Sequence, residues 1–147
     1  LVDVVTPNET EASLLTGIEV DSREAAVRAG RWFIDRGVRH ALITLAGAGS
    51  VLVTADESRH IPPHRVEVVD TTAAGDAFAG YLAASLAAGK ELLHTIDRAG
   101  AAGALAVTRR GASPSLPYAA EVDALLAAPR PDRSSEGPVG TDRERQS

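Results

Sequence analysis

Apolar and polar positions along the chain fall into two alternating kinds of stretch. Leu1–Val5 is a short apolar run of the sort that fills a buried strand. Thr6-Pro7-Asn8-Glu9 then predicts a helix start, with Thr6 as N-cap, Pro7 at the first helical position and Glu9 closing a capping box. That helix runs to about Thr16 and stops at Gly17. Asp21 to Glu24 forms a second capping-box pattern, followed by Ala26, Ala29, Phe33 and Ile34 at helical spacing up to Gly37. Ala41–Leu45 is again strand-like and leads into the loop Ala46-Gly47-Ala48-Gly49. Val51–Thr54 and His64–Val69 read as further strands, separated by Pro62-Pro63.

An Ala-rich helix is predicted over Gly75–Ala88, with Phe78, Tyr81, Leu82 and Leu86 on one side and a stop at Gly89. A long helix studded with Gly100 and Gly103 spans Leu92 to about Thr108, and a short one covers Pro117–Ala127. Strands alternating with helices point to an α/β layered fold with a largely parallel sheet.

The 147 residues, 44% of them hydrophobic and 24% charged, suffice for one compact domain. No apolar run approaches the roughly 18–20 residues of a membrane span, and no basic leader precedes an apolar segment, so a cytoplasmic protein is expected. The absence of cysteine excludes a disulfide framework and Cys-ligated zinc. A net charge of −5 gives no general attraction to nucleic acid or to an anionic membrane, and Arg109-Arg110 is too short for a nucleic-acid patch; neither partner is expected. The domain is placed at residues 1–127. Residues 128–147 balance arginines against acids around Pro129, Pro131 and Pro138, with Val139 the only sizeable apolar side chain, and read as a disordered polar tail. The chain opens at Leu1 inside a strand-like run and contains no methionine, so a fragment or a truncated reading frame is expected.

Asp70-Thr71-Thr72-Ala73-Ala74-Gly75-Asp76 carries the most chemistry. It follows a β-rich run and opens a helix. The first amides of a helix lack intrahelical partners, and the helix dipole leaves partial positive charge there. Small side chains at Ala73, Ala74 and Gly75 leave that amide cluster open to an anion, such as a phosphoryl group in transfer. Asp76 stands where a carboxylate can take a proton from an attacking hydroxyl, although stabilising a helix start explains it equally well from the local pattern. His40, His60, His64 and His94 share no motif and read as surface residues; Trp32 reads as packing.

D-T-T-A-A-G-D-A-F, from Asp70 to Phe78, resembles the second signature of the ribokinase-like (PfkB) carbohydrate kinases. T-P-N-E-T-E-A-x-x-L-T-G (Thr6–Gly17) resembles the family segment that reaches the metal–phosphate region, and A-L-I-T-L-A-G-A-G (Ala41–Gly49) its nucleotide loop. A-V-T-R-R-G-A-S-P-S-L-P (Ala106–Pro117) is similar to its cation-binding stretch. The resemblance implies a three-layer α/β/α fold with a mostly parallel sheet. This chain corresponds to its C-terminal half, without the N-terminal half and its lid.

The resemblance also implies roles. Asp76 is the expected base and sugar contact, and Ala73, Ala74 and Gly75 the anion hole of an ATP-dependent kinase that phosphorylates D-ribose at O5. Asn8 and Glu11 match a pair that organises Mg²⁺ beside the nucleotide, Glu11 through water; a cap explains Asn8 and Glu9 but not Glu11. Thr44, Leu45, Ala46, Gly47, Ala48 and Gly49 would line the ATP loop, with Ala46 where the family usually has Gly. Gly100, where the family often has Asn or His, would face the nucleotide, although close packing on the sheet also explains a small-residue helix. Asp70, Thr72, Ala106, Arg109, Gly111 and Ser115 match a K⁺ site built largely of carbonyls; a turn cap at Asp70 and an ordinary loop at Ser115 explain the same residues. The rival readings are another carbohydrate or nucleoside kinase of the family, and an inactive remnant that at most binds nucleotide. The chain alone is expected to be inactive. A homodimer is the expectation for the intact enzyme only, because the family's dimer contacts use the lid.

Overall fold

The computed structural model describes residues 3–110 and 117–129. Packing divides the chain after Pro62 into two compact units.

The first unit holds β1 (Val4–Val5), α1 (Glu9–Thr16), α2 (Arg23–Ile34), β2 (His40–Thr44), β3 (Ser50–Val53) and β4 (Ser58–Ile61). The four strands form one sheet in the order β1-β2-β3-β4. β1 and β2 pair in parallel, with α1 and α2 between them in sequence, whereas β2–β3 and β3–β4 pair antiparallel. The links Leu45–Gly49 and Thr54–Glu57 are hairpin-sized, and a parallel return needs about a dozen residues. The α/β class therefore stands, with a mixed sheet in this part of it.

Ala41-Leu42-Ile43 and Val51-Leu52-Val53 are apolar without interruption and buried throughout, as central strands require. Ala26, Ala29 and Phe33 of α2 join Ile43, Val51 and Val53 in one core. Gly30 permits that close approach: a Cβ there would lie 2.4 Å from Val53 Cγ2 and 2.8 Å from Val53 Cβ. Arg31 of α2 donates to the Thr54 and Ala55 carbonyls at 2.5 and 3.1 Å, tying the helix to the β3–β4 turn.

Several sequence expectations shift here. α1 starts later than predicted: its N-cap is Asn8, not Thr6. The Pro7 carbonyl accepts from the Thr44 amide at 3.0 Å and Asn8 bridges Thr44, so Pro7 and Asn8 extend the strand pairing instead of opening the helix. Ser22, not Asp21, caps α2, its Oγ accepting from the Ala25 amide at 3.2 Å. β1 is half-buried, as befits the edge of the sheet. β4 was not anticipated, because it buries Ser58 and His60 while its Arg59 and Ile61 are only half-buried, which inverts the usual hydropathy signal. Conversely, His64–Val69 forms no strand. The Val69 and Asp70 amides both donate to the Val107 carbonyl, at 2.7 and 3.0 Å, so a helix end takes the bonds a neighbouring strand would have taken.

The second unit holds α3 (Ala74–Ala87), α4 (Leu92–Ala106) and α5 (Ala119–Ala127). Ala77, Ala101, Ala102, Ala106 and Val122 form its core. A Cβ at Gly103 would stand 3.2 Å from the Ala74 carbonyl oxygen and 3.6 Å from Phe78 Cβ, so the small residues of α4 let it lie close on α3. The Glu91 carboxylate caps α4 through the Leu93 and His94 amides at 2.9 and 3.0 Å. α5 is pinned by the Tyr81 hydroxyl, which donates to the Pro117 carbonyl at 2.7 Å, and by the pairs Arg98–Asp123 and Arg109–Glu121. Of the predicted tail, only Ala128 and Pro129 lie within the described residues. No helix among the described residues is long and apolar enough to cross a membrane.

Candidate functional site

In the first unit the carboxyl ends of parallel β1 and β2 bring Asn8 and Thr44 side by side. Ligands of α/β sheets bind at such strand ends. Asn8 Oδ1 accepts the Glu11 amide at 2.8 Å, and Glu11 Oε2 accepts the Asn8 amide at 3.0 Å. Glu11 is thus half of a capping box, two residues beyond the Glu9 expected from the sequence, so a cap does explain Glu11. Both residues are exposed, and carboxylate and carboxamide oxygens carry further lone pairs suited to a hydrated cation.

The loop after Thr44 is a tight turn. The Leu45 amide donates to the Gly49 carbonyl and the Ala48 amide to the Leu45 carbonyl, both at 2.8 Å, around a 3-10 turn over Ala46–Ala48. Leu45 is only 5% exposed and belongs to the core, so its side chain cannot meet a ligand. Ala46, Gly47 and Ala48 are exposed, and nothing lies within 4 Å of where a Cβ on Gly47 would stand. Ala46 has φ +42° and Gly49 φ +87°, the left-handed region that favours glycine. The structure thus gives the physical reason for a glycine at position 46: this chain accepts strain there.

Beneath the loop lies His60, missed in the sequence and only 2% exposed. Its Nε2 stands 2.8 Å from the Ala48 carbonyl oxygen. The period of β4, which puts His60 on the same face as Ser58, was the one signal available for its burial.

In the second unit, α3 begins at Ala73 with no side-chain cap, whereas α1, α2 and α4 are closed by Asn8, Ser22 and Glu91. Ala73 is buried, while Gly75 and Asp76 are exposed in the first turn. A Cβ at Gly75 would meet nothing within 4 Å. The Ala74 amide donates to the Thr71 carbonyl at 3.2 Å, so holding an anion would require it to share or exchange that partner. The turn is completed by Asp70, whose Oδ1 accepts the Thr72 amide at 2.9 Å and the Thr72 hydroxyl.

Asp70, Ala106 and Arg109 gather around the end of α4: the Asp70 amide reaches the Val107 carbonyl, and the Ala106 carbonyl accepts the Arg109 amide at 3.3 Å. Gly111 and Ser115, the remaining predicted cation ligands, lie outside the described residues. Among the described residues no group of three or more His, Cys, Asp or Glu could hold a metal. The Arg109 guanidinium hydrogen-bonds Glu121 and, with the Tyr118 amide, holds its carboxyl below the usual glutamate range. Gly100 faces His64, whose Cδ2 would be 3.7 Å from a Cβ at that position. The imidazole of His64 is nearly buried, with Nε2 3.1 Å from Asp97 Oδ1. Neither His60 nor His64 is the surface residue expected from the sequence; His94 is exposed.

Comparison with known proteins gives the family. Residues 1–119 match the family described as pfkB family carbohydrate kinase. A ribokinase from Haemophilus influenzae is 42% identical over 117 residues, 80% of this chain and 38% of the relative. A deoxyribokinase from Salmonella typhi is 33% identical over 125 residues, 85% of this chain and 41% of the relative. A solved ribokinase from Arabidopsis thaliana, complexed with ribose and ATP, superposes with a TM-score of 0.80 at 35% identity, covering 86% of this chain and 41% of that one. The chain thus spans about two fifths of the length of these relatives. With the matched model covering residues 1–119 and the relatives agreeing in sequence and fold, the chain belongs to the pfkB family of carbohydrate kinases.

Proposed function

We propose that residues 1–127 are the C-terminal part of an ATP-dependent sugar kinase that transfers the γ-phosphoryl group to O5 of D-ribose. One observation carries this reading. The α3 N-terminus has no side-chain cap, is open at Gly75, and presents an exposed Asp76 in its first turn.

In this mechanism Asp76 removes the proton from the sugar hydroxyl as its oxygen attacks the γ-phosphorus, and the bond from that phosphorus to the β–γ bridging oxygen breaks, releasing ADP. The Ala73–Gly75 amides, with the positive end of the helix dipole, stabilise the charge on the phosphoryl oxygens. By the family resemblance, Asn8, Thr44 and the Ala46–Gly49 backbone would contact the nucleotide. Phosphoryl transfer needs chiefly positioning and charge stabilisation, and these groups provide both. Asn8 and Glu11 would hold hydrated Mg²⁺, which neutralises phosphate charge. Asp70, Thr72, Ala106 and Arg109, with Gly111 and Ser115, would hold K⁺ through oxygens. Gly100 is the weakest of the proposed nucleotide contacts, because His64 packs over it.

Ribose as acceptor is supported by the ribokinase relatives. The deoxyribokinase relative favours a second reading, in which the acceptor is 2-deoxyribose. Since the chain spans two fifths of these proteins, we place the sugar-selecting contacts in the remainder and expect the chain alone to turn over no sugar. The test is ATP consumption with ribose and with 2-deoxyribose, by the chain alone and by the chain joined to the N-terminal segment of a ribokinase or of a deoxyribokinase. The reading predicts ribose-dependent turnover by the form joined to the ribokinase segment and none by the chain alone. Activation by the N-terminal segment of a deoxyribokinase and not by that of a ribokinase would favour the second reading, and no turnover by any joined form would favour an inactive remnant.

A further inference from the structure

We propose that His60 is a positioning residue for the nucleotide loop, locking the Ala46–Gly49 turn from below in the shape that would meet ATP. This rests on the reading of that turn as the ATP loop.

The observations lie within one unit. His60 is 2% exposed on the inner face of β4, opposite Val51. Its Nε2 is 2.8 Å from the Ala48 carbonyl oxygen, and a carbonyl only accepts, so Nε2 carries the proton. The other ring nitrogen, Nδ1, is buried with no hydrogen-bond partner among the described residues. A buried polar atom without a partner destabilises a fold, so an apolar side chain would serve better if packing were the only role. The bond to Ala48 is what the imidazole adds. The turn it holds is one that needs holding, because Ala46 sits at φ +42° without the freedom of glycine. An exposed loop with a strained residue relaxes unless its surroundings fix it. His60 supplies that restraint at Ala48, beside the exposed Gly47 backbone.

The experiment compares His60→Leu and His60→Gln in the 147-residue chain. Hydrogen exchange is read at the Leu45, Ala48 and Gly49 amides, against Ile43 and Val51 as strand controls; ATP·Mg²⁺ affinity is read by titration calorimetry. Leu cannot donate to Ala48, whereas the Gln carboxamide nitrogen lies the same number of bonds from Cβ as Nε2. In His60→Leu the loop amides should exchange faster than the strand controls, and ATP affinity should fall about five- to tenfold, as for the loss of one buried hydrogen bond. His60→Gln should restore most of both. Unchanged loop exchange in His60→Leu, or an equal rise over loop and strands in both variants, would overturn the proposal. Selective loop loosening in a chain whose wild type binds no ATP would instead overturn the nucleotide reading and leave the restraint in place.

Discussion

Asn8 and Glu11 hold each other across the first turn of α1, each side chain accepting the other's backbone amide, at 2.8 and 3.0 Å. Two residues proposed to organise a metal beside the nucleotide are therefore also the residues that start a helix. The roles separate by substitution, since Gln serves a capping box as Glu does but carries no charge. Glu11→Ala should lower stability by about 0.5–1 kcal/mol. Glu11→Gln should leave the unfolding midpoint within experimental error while weakening Mg²⁺-dependent ATP binding. Equal ATP·Mg²⁺ affinity for Glu11→Gln and wild type would restrict Glu11 to the cap.

Ala46 is the non-glycine residue at positive φ, +42°, among the described residues. The left-handed region costs an L-residue about 1–2 kcal/mol, and glycine adds about 0.4–1 kcal/mol of freedom to the unfolded chain. Strain relief wins narrowly. Ala46→Gly should raise stability by up to about 1 kcal/mol, read as a higher thermal midpoint; a lower midpoint would mean the turn is not strained in solution.

Gly30 gives the opposite sign. An alanine gains about 1 kcal/mol of helix propensity, but its Cβ would fall 2.4 Å from Val53 Cγ2 and 2.8 Å from Val53 Cβ, a branched position that cannot swing aside. Overpacking of this kind costs about 1–3 kcal/mol. Gly30→Ala should therefore lower the denaturant midpoint, and a stabilised variant would contradict the α2–β3 packing.

The Arg109–Glu121 pair sets a pH dependence at the start of α5. Glu121 titrates below the usual glutamate range, first because of the Arg109 guanidinium and then the Tyr118 amide. A lowered carboxyl contributes stability that is present above its unfolded-state value, about 4.3, and is lost as pH falls through the lower folded value. Followed by the Tyr118 amide resonance, the acid transition should have its midpoint below the unfolded-state value. It should move upward in Arg109→Gln. No movement would assign the shift to the Tyr118 amide instead.

How much of this was legible depended on what each segment does with its backbone. Ala41–Leu45 and Val51–Thr54 announced themselves as short apolar runs, and the helices through apolar residues at helical spacing. β4 stayed hidden because Ser58 and His60 face inward, and no hydropathy pattern marks a buried histidine whose donor is met by the Ala48 carbonyl. α1 was started two residues early, because the Pro7 carbonyl pairs with Thr44, a contact distant in sequence. The Asp70–Asp76 turn was readable from small residues at a helix start. That Glu11 belongs to the cap, and that the Ala74 amide already has the Thr71 carbonyl, required coordinates.

The central claim is that the open start of α3 cradles the phosphoryl group while Asp76 takes the proton. Its most direct test is Asp76→Asn in the chain joined to a ribokinase N-terminal segment, with single-turnover phosphoryl transfer and ATP affinity measured on the same sample. The account predicts a fall in transfer of about 10²–10⁴-fold, the range of a general base, with ATP affinity unchanged within about twofold. Transfer that survives, or that falls only in step with ATP affinity, would contradict it.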